Sequence, residues 1–91
     1  MCIRDRAIAD YTIAIKLNPK DAGAYSDRSR AYFLKGDYDK AIADCSQAIE
    51  IDPKMAVAYR NRGNAYNKKG AWDKADADFK KAQSLGYKWV A

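Results

Sequence analysis

Histidine is absent from this chain, which removes the commonest general base and the commonest metal ligand together. The two cysteines, Cys2 and Cys45, form neither a metal-ligand spacing nor a disulfide framework. No glycine-rich loop suits a phosphate, and no nucleophile stands at a usable spacing from a base. Catalysis, a bound metal and a cofactor are therefore not expected. Long apolar runs are also missing: none approaches the roughly 20 residues that a membrane-crossing helix needs. No charged and apolar leader has the pattern of a secretory signal. The compartment stays open on these grounds.

What remains is one small domain of 91 residues, 48% hydrophobic and 32% charged, an ordinary balance for a folded chain. Alanine supplies much of the apolar fraction and suits helices in close contact. The net charge of +5 favours acidic partners without naming one. Lysines and arginines alternate with aspartates almost throughout, so a solvated helical surface accounts for most of them. Cys45 fills a slot that Tyr11 and Phe79 occupy elsewhere, which reads as a buried structural thiol.

The slots recur because the sequence repeats every 34 residues. Pro19 returns as Pro53, Tyr25 as Tyr59, Arg28 as Arg62, Tyr32 as Tyr66 and Gly36 as Gly70. Residues 7–48 and 41–82 share 22 identities over 42 aligned pairs. A period of this length denotes stacked supersecondary units, none of which buries its apolar face alone.

Local signals divide each unit into two helices. Ala7, Tyr11 and Ala14 form one stripe of a helix over 7–17, and Asn18-Pro19 stops it, since the residue before proline is pushed out of helical geometry. A second helix is expected from about Ala22 to Lys35, ended by Gly36, which takes the left-handed conformation cheaply. Asp37 and Asp39 suit the positive end of a third helix, from Tyr38 to about Ile51. Residues 56–69 and 72–85 copy these two helices. Connections this short force antiparallel neighbours.

The repeat resembles the tetratricopeptide repeat (TPR). The residues that carry the resemblance are Tyr25, Ser29, Tyr32, Gly36, Tyr38, Ala41, Cys45, Ala48 and Pro53. In the last unit they are Tyr59, Gly63, Tyr66, Gly70, Trp72, Ala75, Phe79 and Ala82. The resemblance implies an all-α chain, a right-handed α-solenoid of antiparallel helix pairs with about two and a half repeats. Residues 7–21 would be the second helix of a truncated unit plus linker. Residues 22–55 would be a full unit, and 56–91 a C-terminal unit with a capping helix and tail. The expected core contains Ala31, Tyr32, Ala41, Ala48, Ala65, Tyr66, Ala75 and Phe79.

Several positions depart from the family pattern. Arg28 and Arg62 stand where leucine is usual, which predicts a thinner core covered by their aliphatic stems. Ile42 and Ile49 become Asp76 and Gln83, and Tyr87 replaces the last proline, the polar outer face of a terminal unit. Leu85-Gly86 should close the last helix, with Tyr87, Trp89 and Val90 folded back or trailing. Asp37, Asp39, Asp44, Asp73, Asp76 and Asp78 have turn, dipole and surface explanations. Residues 1–6 (MCIRDR) break the repeat and match what a sequencing-library adapter would encode, so they are expected to be a non-native leader. Helix 7–17 then lacks its pairing helix, and its open stripe, with Ile13 where Gln47 and Lys81 are polar, predicts self-association.

In TPR proteins the first helix of each pair lines a concave groove that holds peptides, and the resemblance implies the same here. The stripe opposite the tyrosines reads Ser26, Asp27, Arg30, Phe33 and Leu34, then Arg60, Asn61, Asn64, Asn67 and Lys68. Asparagine offers both donor and acceptor to a main chain, and arginine can grip a carboxylate through two bonds. A protein or peptide partner, acidic or with a C-terminal carboxylate, is the expectation. Arg60 and Asn64 resemble one element of the carboxylate clamp found in some TPR domains, which Ser26 and Arg30 do not complete. The alternative is a basic surface that binds nucleic acid or another polyanion. The tyrosines that would stack bases fall on the core stripe instead, so that reading is less favoured.

Overall fold

The computed structural model describes residues 3–86, with side chains described from Arg6 onward. Five helices follow one another: α1 (Ile3–Leu17), α2 (Ala22–Lys35), α3 (Tyr38–Ile51), α4 (Ala56–Lys68) and α5 (Trp72–Ser84). No strand occurs among the described residues. α2 pairs most extensively with α3, and α4 with α5, while α1 packs on α2 and α3 on α4. The architecture is the all-helical solenoid of helix pairs that the period implies. Ends fall within one residue of expectation except at the front. α1 begins at Ile3 and not at Ala7, because Ile-Arg-Asp-Arg contains no residue that breaks a helix.

Turn chemistry explains each boundary. Asp21 caps α2 by accepting from the Ala24 N–H at 3.1 Å, and Asp37 caps α3 by accepting from the Lys40 N–H at 3.4 Å. Gly36 ends α2 at φ 93°, where its N–H donates to the Phe33 carbonyl and that of Asp37 to the Tyr32 carbonyl. The last unit keeps the glycine turn at Gly70 but loses both caps, since Met55 and Ala71 replace the aspartates and make no side-chain cap bond. Gly86, at φ 96°, follows the end of α5. Cys2 and the expected tail contacts of Tyr87, Trp89 and Val90 lie outside the described residues.

Small residues form the fully buried core: Ala24, Ala31, Ala41, Cys45, Ala48, Ala58, Ala65, Ala75 and Ala82, with Ser29 and Gly63. They let helices approach closely. Tyr32, Tyr66 and Phe79, expected inside, are only half-buried. Two of them serve the arginines instead. Arg28 sits between the Tyr25 and Tyr32 rings at 5.7 and 5.8 Å, and Arg62 between Tyr59 and Tyr66 at 5.5 and 6.0 Å. Cation–π contact therefore holds the rings at the rim of the core. Trp72 is 69% exposed although its counterpart Tyr38 packs edge-on against Phe33 at 5.4 Å. Asn67 stands where Phe33 would be, so Trp72 has lost that ring.

The arginine positions are also where the expectation of a thin, stem-covered core is corrected. Arg28 donates through Nε and Nη2 to both carboxylate oxygens of Asp44 at 2.7 Å. Arg62 does the same to Asp78 at 2.8 Å. Asp44 and Asp78 are thus buried ion-pair partners, at 6% and 5% exposure, and not the surface carboxylates expected from sequence. The remaining Nη1 groups reach back to Thr12 at 3.2 Å and Ser46 at 3.3 Å on the preceding helix. Asp37, Asp39, Asp73 and Asp76 keep the turn, dipole and surface roles: Asp39 pairs with Lys69 and Asp76 with Lys80.

Core volumes match pair by pair. Ser29 meets Cys45, whose thiol donates to the Ser29 hydroxyl at 3.0 Å, and that hydroxyl donates to the Ser26 carbonyl at 2.6 Å. In the next unit Gly63 meets the larger Phe79. A Cβ at Gly63 would lie 2.8 Å from Phe79 Cε1 and 3.2 Å from the Ala75 carbonyl oxygen. Replacing Gly63 with leucine should therefore overpack this contact and cost roughly 1–3 kcal/mol. Thermal melts check it: an unchanged melting temperature would refute the packing.

Burial pushes the Cys45 thiol up from its ordinary 9.0 to about 11, against the lowering effect of its bond to Ser29. The fold favours the neutral thiol, so the contribution is fully present below pH 9 and is lost between pH 9 and 11. Stability of the wild type should fall by about 2–3 kcal/mol more than that of Cys45→Ala across this window. Urea titrations of both proteins measure the difference, and parallel pH profiles would contradict a buried thiol.

Candidate functional site

The inner stripe of α2 and α4 follows from the arginine alternation. Arg28 and Arg62 turn into the helix pair, so Arg30 and Arg60, two residues away, fall on the opposite side. There Arg30, Phe33 and Leu34 from α2 face Arg60, Asn61 and Asn64 from α4 across a cavity of about 220 Å³. Six of the ten residues on the sequence-derived stripe are thereby brought together. Asp27, Asn67 and Lys68 are exposed and do not line the cavity.

Ser26 departs furthest from the expected open position. It is buried, 4% exposed, and its hydroxyl accepts from Asn61 Nδ2 at 3.4 Å. Helix α4 lies over it because α2 and α4 touch along the groove floor. Asn61 Oδ1 in turn accepts from Arg60 Nη2 at 3.1 Å. Its amide is occupied by the protein on both sides. Asn64 lines the cavity and also a neighbouring hollow of about 380 Å³ formed with Asp76, Phe79, Lys80 and Gln83.

Electrostatics and shape combine at one place. Two guanidinium groups, Arg30 and Arg60, border a floor of Phe33 and half-exposed Leu34. Phe33 is fixed by its edge-on contact with Tyr38. A volume near 220 Å³ is below the usual range for a whole small-molecule site, about 300–1,000 Å³, and matches one or two side chains. No group of three or more residues able to hold a metal occurs among the described residues. No helix among them is long and apolar enough to cross a membrane.

Family models agree with this architecture. A model described as TPR repeat matches residues 30–70, and one described as Tetratricopeptide repeat matches residues 11–43. The Arabidopsis OM64 TPR domain is 36% identical, covers 91% of this chain and 69% of its own, and superposes with a TM-score of 0.90. The chain is a tetratricopeptide-repeat protein. A second TPR structure, the second TPR of Spaghetti (RPAP3) bound to the HSP90 peptide SRMEEVD, is 33% identical with a TM-score of 0.88. It matches over 90% of this chain and 76% of its own. A crystal structure of MamA is 38% identical at a TM-score of 0.85, over 90% of this chain and 48% of that one. Comparison with curated proteins found no match. TPR membership points to protein interaction, the class of function that TPR proteins generally serve without catalysis.

The arginine–aspartate pairs are the functional scaffold that sequence reading missed. Their signal was present: Arg28 and Asp44 stand 16 residues apart, as do Arg62 and Asp78. A charged pair conserved within the chain's own repeat, at positions facing the core, marks a tertiary ion pair.

Proposed function

We propose that this TPR protein binds an extended acidic peptide along the groove of α2 and α4, with one apolar side chain of the peptide seated in the cavity over Phe33 and Leu34. The observation that carries this reading is the pairing of two arginines with an apolar floor in a space of side-chain size. Arg30 and Arg60 neutralise carboxylates that flank the seated side chain, or a terminal one, and a guanidinium can hold such a group through two bonds. Asn64 holds the peptide main chain. Asn61, bound to Ser26 and Arg60, shapes the groove wall. Asp27, Asn67 and Lys68 lie at its margins and adjust long-range attraction only.

Solved relatives support a peptide of this chemistry. RPAP3 domains have been solved bound to the HSP90 peptide SRMEEVD and the HSP70 peptide SGPTIEEVD, both of which end in EEVD. The TPR2B domain of yeast Sti1 has been solved as a complex with pHsp70. Arg60 and Asn64 resemble one element of the carboxylate clamp found in some TPR domains, while Ser26 is buried and Arg30 is exposed on α2. Affinity should accordingly be micromolar or weaker, since the two units offer little area and exposed charges contribute little.

Fluorescence titration with an acidic peptide that has a large apolar residue beside its carboxylates tests the reading. The double variant Arg60→Ala/Asn64→Ala should lose about tenfold or more in affinity, and Leu34→Asp should lose a comparable amount. Equal binding of acidic and neutral peptides, or no loss in the double variant, would overturn it. A steep fall in affinity for single-stranded DNA with salt, matching the peptide's affinity at low salt, would favour the polyanion reading instead.

A further inference from the structure

The two arginines that border the groove cavity are held very differently. Arg30 is exposed on α2, and its side chain makes no hydrogen bond or ion pair among the described residues. Arg60 on α4 is half-buried, and its Nη2 donates to Asn61 Oδ1 at 3.1 Å. Consecutive side chains on a helix do not face each other, so this bond needs something outside α4 to turn the amide. Ser26 supplies it. Asn61 Nδ2 donates to the Ser26 hydroxyl at 3.4 Å across the contact between α2 and α4.

The serine is anchored in the packed interior. It is buried, and its carbonyl accepts from the Ser29 hydroxyl at 2.6 Å, which in turn accepts from the Cys45 thiol at 3.0 Å. A buried hydroxyl that loses its partner is costly, so the Asn61 amide stays with Ser26 and does not turn to a peptide. A connected line therefore runs from the core through Ser26 and Asn61 to a guanidinium at the groove. Residues 26 and 60 hold equivalent places one repeat apart, as do 27 and 61. Asp27, in the place of Asn61, is exposed, so α2 has no matching arrangement.

We propose that Ser26 and Asn61 position Arg60 to read on which side of the seated apolar residue a peptide carries its carboxylate, while Arg30 attracts acidic peptides without discriminating. This assignment rests on the groove function proposed above and gives it a specificity. Phe33 and Leu34 fix the apolar side chain, so the place of the carboxylate is measured from it. A guanidinium ordered before the peptide arrives has little rotamer freedom left to lose, and it rewards a carboxylate only in one place. An exposed arginine follows the carboxylate wherever it lies, and the ordering cost cancels much of the gain. Ser26 and Asn61 are thus positioning residues, which act on the peptide through Arg60.

The test uses two peptides of equal charge with blocked ends, their single carboxylate just before or just after a large apolar residue. Fluorescence titration of the wild type should show one order bound about tenfold more tightly than the other. Ser26→Ala and Asn61→Ala should each bring the two affinities within about threefold by weakening the favoured peptide. Arg30→Ala should weaken both peptides alike and keep the ratio. Equal binding of the two orders by the wild type would overturn the proposal. So would a ratio that survives Ser26→Ala and Asn61→Ala, the result expected if both residues only support the fold. Side-chain NMR of the free protein with isotope-labelled arginine gives a readout that needs no peptide. Rotation of the Arg60 guanidinium about its Nε–Cζ bond should quicken in both variants, and unchanged rotation would overturn the proposal while leaving the groove function standing. A wild type that binds acidic and neutral peptides equally would overturn the groove function itself, and this specificity with it.

Discussion

An arginine–aspartate ion pair, set once in each helix pair, holds the solenoid in register. Arg28 reaches Asp44 on α3 and Thr12 on α1, so one side chain on α2 spans three consecutive helices. Arg62 repeats the arrangement with Asp78 on α5 and Ser46 on α3. Both guanidinium groups are held more basic than usual, because the hydrogen bond to aspartate outweighs the opposing effect of burial. Buried ion pairs are costly to desolvate and gain little over apolar packing, but one partner left alone is costly. The pair therefore acts through specificity: a helix displaced by a turn would leave a buried charge unmatched.

The groove depends on that lock. With Arg28 and Arg62 committed to the interior, helical geometry turns Arg30 and Arg60 to the far side, where they border the cavity with Phe33 and Leu34. Four arginines on two helices thus divide into an ion-paired set and a cavity-lining set by a spacing of two residues. The alanine core has a parallel effect. Because Ala31, Ala48, Ala58 and Ala65 leave no room between helices, the large side chains move to the rims, where Phe33 and Tyr38 stiffen the groove wall.

Most of the fold was legible in the sequence because it is written in punctuation. Pro19 and Pro53 end helices, Gly36 and Gly70 make the turns, and the 34-residue period orders the units. The front boundary was less legible, since Ile3 to Arg6 carry no stop signal and α1 extends through them. Periodicity also misplaced Tyr32 and Tyr66 inside the core. A helical stripe gives direction and not depth, and the rings stop at the arginines they sandwich. Of the stripe expected from the sequence, Arg30, Phe33, Leu34, Arg60, Asn61 and Asn64 line one cavity, as helical spacing alone dictates. Ser26 was misread because its burial depends on α4 lying across α2, a contact between residues 35 positions apart. Asp44 and Asp78 looked like surface carboxylates for the same reason: their partners lie on another helix.

A double-mutant cycle on Arg62 and Asp78 tests the lock most directly, read as urea-unfolding free energies of Arg62→Met, Asp78→Leu and the combined variant. Each single change should cost about 3–5 kcal/mol, since it strands a buried charge, and the combined variant should cost clearly less than their sum. Single changes that cost under about 1 kcal/mol, or costs that simply add, would show that Arg62 and Asp78 behave as independent surface charges and that something else sets the register.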